Sequence, residues 1–560
     1  VTEVLVVIVL AFLVIAASTV LGPRLGVASP LLLVAIGIAA SFVPFVGAAH
    51  IEPEWILEGL LPPLLYASAV SMPAMNFRRE FGAIGGLSVL LVIGSALVLG
   101  LFFMLVLPGV GFAWGVALGA IISPTDAVAT SIIKRTPVSK RVVAILDGES
   151  LLNDATALVL LRTAIVAVAA SFSFWGTVGT FAYSVVIAVV VGFVVGRLNL
   201  IVRKRVTDPT VNTVISFAVP FVASVPVTLM YGSGLVAAVV AGLITGIRAP
   251  RDLSPQNRLS DSQNWRTVEL LLEGIVFLTM GVQLKSIVEN VQRDHQGVWA
   301  AVLIAVIALA LVLLVRAIYV SGLLGVLSRS RARNAQLETR LQAMHERIGT
   351  PEGRQKTVER MNARPGIRGT QENLERFAAR ITRGLADIEY FRRQPLGWRE
   401  GTIVVWAGMR GAVTVAAAQT LSADDTPDRS VLVLIAFVVA ALSLSVQGGT
   451  IGPVVRWLSP KTDQAAVDEQ NASERTSIME LLRTSGETVP APPELTGDPT
   501  PEQFMQQKRY RLAVLNAQRA ALLDARDNGT FDADALANGL ANLDASQIAI
   551  EMRGEPADAE

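Results

Sequence analysis

Apolar runs about 20 residues long recur along most of this 560-residue chain, separated by short polar breaks or breaks marked by Gly or Pro. A helix of that length spans the roughly 30 Å hydrocarbon layer of a bilayer. Within that layer every backbone polar group must be satisfied internally, so the runs are read as helices and the chain as an all-α membrane protein. With hydrophobic residues at 52% and charged residues at 17%, it is too apolar for a soluble enzyme of this size. Cysteine is absent, which removes disulfides and thiolate metal sites. His50, His295 and His345 all sit in polar stretches, so a histidine metal centre is not expected either.

Thirteen spans can be drawn, among them span three at Trp55 to Val70, five at Phe112 to Ile133, six at Val142 to Ala170, ten at Val268 to Leu284, eleven at Val298 to Leu327 and twelve at Thr402 to Leu421. They divide the chain into spans one to eleven (1–327), a basic insert (328–398), spans twelve and thirteen (399–459) and an acidic tail (460–560). The first span lacks the basic start and small-residue cleavage site of a removable signal, so it is kept as structure. One set of alternate loops carries 14 Lys or Arg, including Arg24, Arg78, Lys134, Arg135, Arg203 and Arg258, whereas the opposite set carries only Lys285, Arg293 and Arg429. Positive loops stay inside, which puts the N-terminus outside and the insert and tail in the cytoplasm.

Net charge is +1, but the insert holds 15 Lys or Arg against 8 Asp or Glu and the tail holds 9 against 18. The +7 insert matches inside-loop bias or attraction to anionic lipid. Its opposition to the −9 tail leaves a second expectation, contact between the two. A nucleic-acid partner is not expected, because the remaining charge is sparse and spread over apolar runs. The insert reads as a helical hairpin, with Leu337, Leu341, Met344 and Ile348 on one arm, a loop around Pro365, and Leu374, Phe377 and Ile381 on the other. The tail passes through Pro490, Pro493 and Pro499 into helices at about 501–527 and 532–552.

A charge at bilayer depth costs at least about 2.5 kcal/mol on insertion scales, so ionisable residues there are functional candidates. They are Asp126, Glu149, Asp154, Arg162, Glu273, Arg316 and Arg410. Arg162 and Arg316 stand alone in long apolar helices and are expected to pair inside the bundle. Asp154 lies roughly 18 Å into span six and Asp126 roughly 21 Å into span five, at 1.5 Å per residue, so both carboxylates reach the midplane. Pro124 breaks span five beside Asp126, and Gly408-Met409-Arg410-Gly411 interrupts span twelve. Two broken helices in opposite halves point to an inverted repeat with a site between its halves. In span six, Ser150 and Asp154 share one helix face and Glu149 and Asn153 another pair of neighbouring positions, forming a polar stripe. That stripe is either a structural network between helices or, opposite free carbonyls, a site for a dehydrated hard cation.

Ser-Pro-Thr-Asp-Ala-Val-Ala at 123–129, Asp-Gly-Glu-Ser-Leu-Leu-Asn-Asp at 147–154, Gly-Met-Arg-Gly-Ala at 408–412 and Leu61-Pro62-Pro63 occur in the order seen in a known family. Over about residues 1–455 the chain resembles the sodium/proton exchangers of the monovalent cation:proton antiporter superfamily, in the branch marked by an Asn-Asp pair. The resemblance implies a thirteen-helix inverted-repeat fold, a homodimer in the bacterial inner membrane, and electroneutral exchange of sodium for protons without a cofactor, serving pH and sodium homeostasis. It implies that Asp154 takes the ion and the proton, with Asn153 its neighbour, Asp126 acting near or through water, Thr125 a backbone ligand and Ser150 a side-chain ligand. Sodium would then be held by Asp154, Ser150 and Thr125. Glu149 and Arg410 resemble the buried structural ion pair; Glu273 and Arg316 are accessory candidates. One departure is Ala67, where the family often carries an acidic residue, leaving Ser68 or water to stand in. Potassium in place of sodium is the alternative cargo. A channel would need a selectivity filter or ring, and neither is visible in the sequence.

Overall fold

The computed structural model describes residues 2–43, 52–134, 136, 138–169, 174–294, 297–363, 370–422, 425–458, 464–492 and 500–552. His50, Arg135, His295, the loop around Pro365, and Pro493 and Pro499 lie outside the described residues. The described chain consists of helices and their connections, and it divides into two compact units.

The first unit, residues 1–252, 260–324 and 396–460, is built from α1 (Thr2–Leu25), α2 (Ser29–Ala40), α3 (Trp55–Ser71), α4 (Ala74–Val106), α5 (Phe112–Ile122), α6 (Val128–Ile133), α7 (Lys140–Ala169), α8 (Phe174–Arg203), α9 (Pro209–Leu229), α10 (Gly234–Asp252), most of α11 (Pro255–Arg293) and the first half of α12 (Val298–Gly349). Nine helices among the described residues are long and apolar enough to cross a membrane, and Ser29–Ala40, Trp55–Ser71 and Phe112–Ile122 are shorter apolar helices.

Packing sorts these helices into two groups. α4, α5 and α7 pack on one another, while α3, α8, α9 and α10 form the other set. A buried polar joint ties the second set together. Arg203, at the end of α8, donates to Asn212 of α9 at 2.8 Å and pairs with Asp261 of α11 at 3.1 Å. Buried ions are tolerable when paired and hydrogen-bonded in this way.

α12 runs 52 residues without a break, so the first arm of the expected insert hairpin is a continuation of span eleven. Nothing in residues 328–349 supplies a proline to stop it. The second unit takes in residues 253–259, 325–395 and 461–560. Its helices are the distal half of α12, α13 (Pro351–Asn362) and α14 (Gln371–Arg393), and, after α15 (Trp398–Trp406), α16 (Ala412–Gln419) and α17 (Arg429–Leu458) of the first unit, the tail helices α18 (Gln464–Glu487), α19 (Pro501–Asn528) and α20 (Ala533–Met552). α13, α14 and α19 begin at Thr350, Thr370 and Thr500, whose hydroxyls accept orphan backbone N–H groups. Ile478, Leu515, Leu522, Leu536 and Leu540 form the core of the tail helices. Within this unit Asp544 pairs with both Arg519, at 2.9 Å, and Arg258 in the first turn of α11.

Candidate functional site

α5 and α6 are the halves of one interrupted helix, and α15 and α16 the halves of another. Pro124 cannot donate, so the turn after Ile122 opens and residues 124–126 leave the helix without regular structure. The two breaks meet directly: the backbone N–H of Asp126 donates to the carbonyl of Met409 at 2.7 Å.

Each broken helix exposes carbonyls at one inner end and N–H groups at the other, with partial negative and positive charge respectively. The side chains follow that polarity. Arg410 Nε donates to the carbonyl of Ile122, at the end of α5, at 3.1 Å, and its guanidinium also donates to the carbonyl of Gly408. Arg316 donates to the carbonyl of Val404 in α15 through Nε at 3.0 Å and Nη2 at 2.9 Å. At the opposite pole, the backbone N–H of Val128 that opens α6 donates to Asp126 Oδ1 at 3.0 Å.

This arrangement corrects the expected ion pair. The partner of Glu149 is Arg316, which donates to Glu149 Oε1 from Nη1 and to Oε2 from Nη2 at 2.8 Å. Arg410 instead serves backbone carbonyls, and its own N–H donates to Ser443 Oγ at 2.9 Å. Both arginines are fully buried. The physical reason is reach: α12 carries Arg316 alongside Glu149, while Arg410 sits inside the break, where unpaired carbonyls are the nearest acceptors. The two glycines flanking Arg410 make room for this. A Cβ on Gly408 would lie 2.5 Å from Arg316 Nε, and one on Gly411 would fall on the carboxylate of Asp126.

From Glu149 a hydrogen-bond chain leads to the Asn-Asp pair. Thr125 Oγ1 donates to Glu149 Oε1 at 3.1 Å, and Asn153 Nδ2 donates to Thr125 Oγ1 at 2.6 Å and to the Thr125 carbonyl at 3.0 Å. The fully buried Asn153 keeps Oδ1 without a donor. Asp154, 9% exposed, has no hydrogen-bond partner among the described residues and faces the charge of Asp126. A buried carboxylate with no donor among the described residues, beside a second carboxylate and a non-helical turn, lacks the partners that buried charges otherwise have. It is chemically suited to a mobile cation or a proton.

Ser150 Oγ donates to the Asp147 carbonyl at 3.1 Å, one turn back along its own helix, so its lone pairs remain available as acceptors. Ala67 is buried, and Ser68 Oγ donates to Glu269 Oε1 at 3.0 Å. Glu269 and Glu273 are one turn apart on α11, and Glu273 lies close enough to Asp126 and Glu269 for their charges to interact. Glu269 is absent from the candidates read in the sequence because it falls at the border of the apolar run; its spacing of four from Glu273 was the available signal. Arg162 does find a partner, Glu58, at 3.8 Å, but both side chains are exposed.

A bundle of membrane-length helices with two crossing breaks, arginines on the carbonyl ends and a buried carboxylate without a hydrogen-bond partner among the described residues beside Asp126 defines a secondary transporter of small cations. The comparisons with known proteins give the family. A model described as sodium/hydrogen exchanger, transmembrane, matches residues 8–344 and 377–457, and the chain belongs to that family. It is 27% identical to an uncharacterised Na(+)/H(+) exchanger of Mycobacterium tuberculosis over 99% of this chain and 97% of the relative. It is 26% identical to the Na(+)/H(+) antiporter ApNhaP of Aphanothece halophytica over 83% and 76%. The fold matches the structure of the sodium proton antiporter MjNhaP1 from Methanocaldococcus jannaschii with a TM-score of 0.55 at 16% identity, covering 81% of this chain and 99% of that one.

Proposed function

We propose that this chain is a sodium/proton antiporter in which Asp154 binds a dehydrated sodium ion or a proton, never both, and relative movement of the two helix groups exposes it alternately to either side. The observation that carries this is the buried Asp154 carboxylate, which has no hydrogen-bond partner among the described residues and lies within charge-interaction distance of Asp126 in the break between α5 and α6. Thr125 and Ser150 contribute oxygens to the sodium ion, the ligand type a hard cation takes, and Asp126 acts next to it. Asn153 holds the Thr125 turn in place, and Glu149 is fixed from behind by Arg316. Glu273 and Glu269 supply the acidic group that Ala67 cannot.

With Asn153 beside a single alternating carboxylate, exchange is one sodium per proton. The remaining parts of the reading are thirteen spans, a homodimer in a bacterial cell membrane, an outside N-terminus, a cytoplasmic C-terminus, and a role in pH and sodium homeostasis. The insert and tail act as one cytoplasmic regulatory body.

Purified protein in proteoliposomes tests the central claim. Wild type should exchange protons for sodium, and Asp154→Asn should abolish exchange while remaining folded, because Asn keeps the size but cannot trade a proton for a cation. Wild-type rates in that variant would overturn the assignment. The same assay across lithium, sodium and potassium decides the cargo.

A further inference from the structure

Lys134 caps the C-terminal end of α6, directly after Ile133, and the exposed positions Ala127, Ser131 and Lys134 fall four and three residues apart, on one face that leads away from Asp126. α7 has a matching face. Asp147, Ser150 and Asp154 are spaced three and four apart, partly exposed at the first two and buried at the third. Asp147 and Asp154 are separated by two turns, about 10 Å along the axis.

At the outer end of these faces Lys134 Nζ stands 2.9 Å from Asp147 Oδ2, with the lysine side chain 54% and the aspartate 25% exposed. Glu269, anchored by Ser68 on α3, lies close enough to both for charges to interact. Two carboxylates on different helices, one ammonium paired with Asp147, and the Arg266 guanidinium near Glu269 therefore stand two turns along α7 from Asp154. Two carboxylates alone would concentrate cations in a low-dielectric cleft. The ammonium opposes that, being a cation the chain supplies itself. A pair this exposed contributes little to stability, since surface ion pairs are worth about 0 to 1 kcal/mol, so stability does not account for its placement.

We infer that Lys134 determines the apparent affinity for the transported cation on the side from which Asp147 is reached, by occupying Asp147 and cancelling the attraction that Asp147 and Glu269 exert on incoming sodium. This rests on the antiport reading above. Lys134 touches neither Asp154 nor Asp126 by hydrogen bond or ion pair; it acts on the ion before binding and leaves the exchange step alone.

The test uses the full chain in vesicles oriented so that the Lys134 side faces the added sodium, with ionic strength adjusted by a large organic cation salt. One unit charge about 10 Å from the binding carboxylate is worth a three- to fivefold change at an effective dielectric intermediate between protein and water. Lys134→Gln should therefore lower the apparent KM for sodium about three- to fivefold at low ionic strength, with maximal rate and melting temperature unchanged. The shift should shrink at high ionic strength, where exposed charges are screened. Lys134→Arg should keep the wild-type KM, and Lys134→Gln combined with Asp147→Asn should return it toward wild type.

An unchanged or raised KM in Lys134→Gln, or a shift indifferent to ionic strength, overturns the inference. Failure of the antiport reading is separately visible, because wild type itself would then show no sodium-dependent proton movement above the Asp154→Asn baseline.

Discussion

Glu149 on α7 and Arg316 on α12 are 167 residues apart in sequence and form a two-point ion pair with side chains 1% and 2% exposed. The pair is the rear wall of the site: Glu149 also accepts from Thr125, whose hydroxyl and carbonyl accept from Asn153. Any displacement of Glu149 is passed to the Thr125 turn and so to the neighbourhood of Asp154.

Breaking that pair leaves an unpaired charge in a dry interior, which costs about 3 to 5 kcal/mol. Arg316→Ala and Glu149→Ala should each lower thermal stability strongly, and the double variant should lose less than the sum of the two. Melting curves of purified protein in detergent measure this. An Arg316→Ala protein as stable as wild type would show that the pair carries no structural weight.

Arg410→Ala has a different expected signature. Its guanidinium is held by the carbonyls of Ile122 and Gly408, so its loss frees acceptors at the crossing without orphaning Glu149. Glu149→Ala and Arg410→Ala should therefore couple only weakly, through charge interaction without a direct ion pair, in contrast to Glu149→Ala with Arg316→Ala. A strong coupling between 149 and 410 in a double-mutant cycle would reinstate the other pairing.

Gly411→Ala should abolish exchange. The added methyl would occupy the space of the Asp126 carboxylate and lie 2.8 Å from its Cβ, while the Asp126 N–H is tied to Met409 and its Oδ1 accepts from Val128. Gly449, where an added Cβ meets nothing within 4 Å, is the control: Gly449→Ala should retain wild-type transport. Equal activity in both variants would remove the claim that the crossing is sterically closed.

Exchange should be electroneutral, because a single carboxylate beside Asn153 alternates between one sodium ion and one proton. No steady current should appear across reconstituted membranes, and the rate should not follow membrane potential. A sustained current would contradict the one-for-one stoichiometry.

The tail should restrain transport through α11. Asp544 holds Arg258 in the first turn of the helix that carries Glu269 and Glu273 further along. Asp544→Ala, or deletion of residues 470–560, should raise the exchange rate about two- to threefold, an effect equivalent to loss of one partly buried ion pair of about 0.5 kcal/mol. An unchanged rate and unchanged salt response in both would leave the tail without a regulatory role.

The membrane-length helices, the two breaks and the buried carboxylates near them were readable from the chain, because each depends on local properties: the length of an apolar run, a proline without a donor, a charge placed within about ten residues of apolar neighbours. Helix lengths beyond the apolar runs were less so. α11 and α12 continue past the expected limits of spans ten and eleven, since a helix leaving the apolar region keeps going unless a residue stops it.

What the tertiary structure decided is which charge meets which. Arg316 and Arg410 are the same residue type at similar depth, and sequence offers no distance between either of them and Glu149; only the packing of α12 beside α7, and the exposed carbonyls at the crossing, assigns one to the carboxylate and the other to backbone. The same holds for Lys134. In sequence it is one more basic loop residue, and only the fold brings Asp147 to 2.9 Å from it, with Glu269 near both. Local chemistry specifies the elements of a chain, but Coulomb energy depends on separations in space, and those separations exist only once the helices have packed.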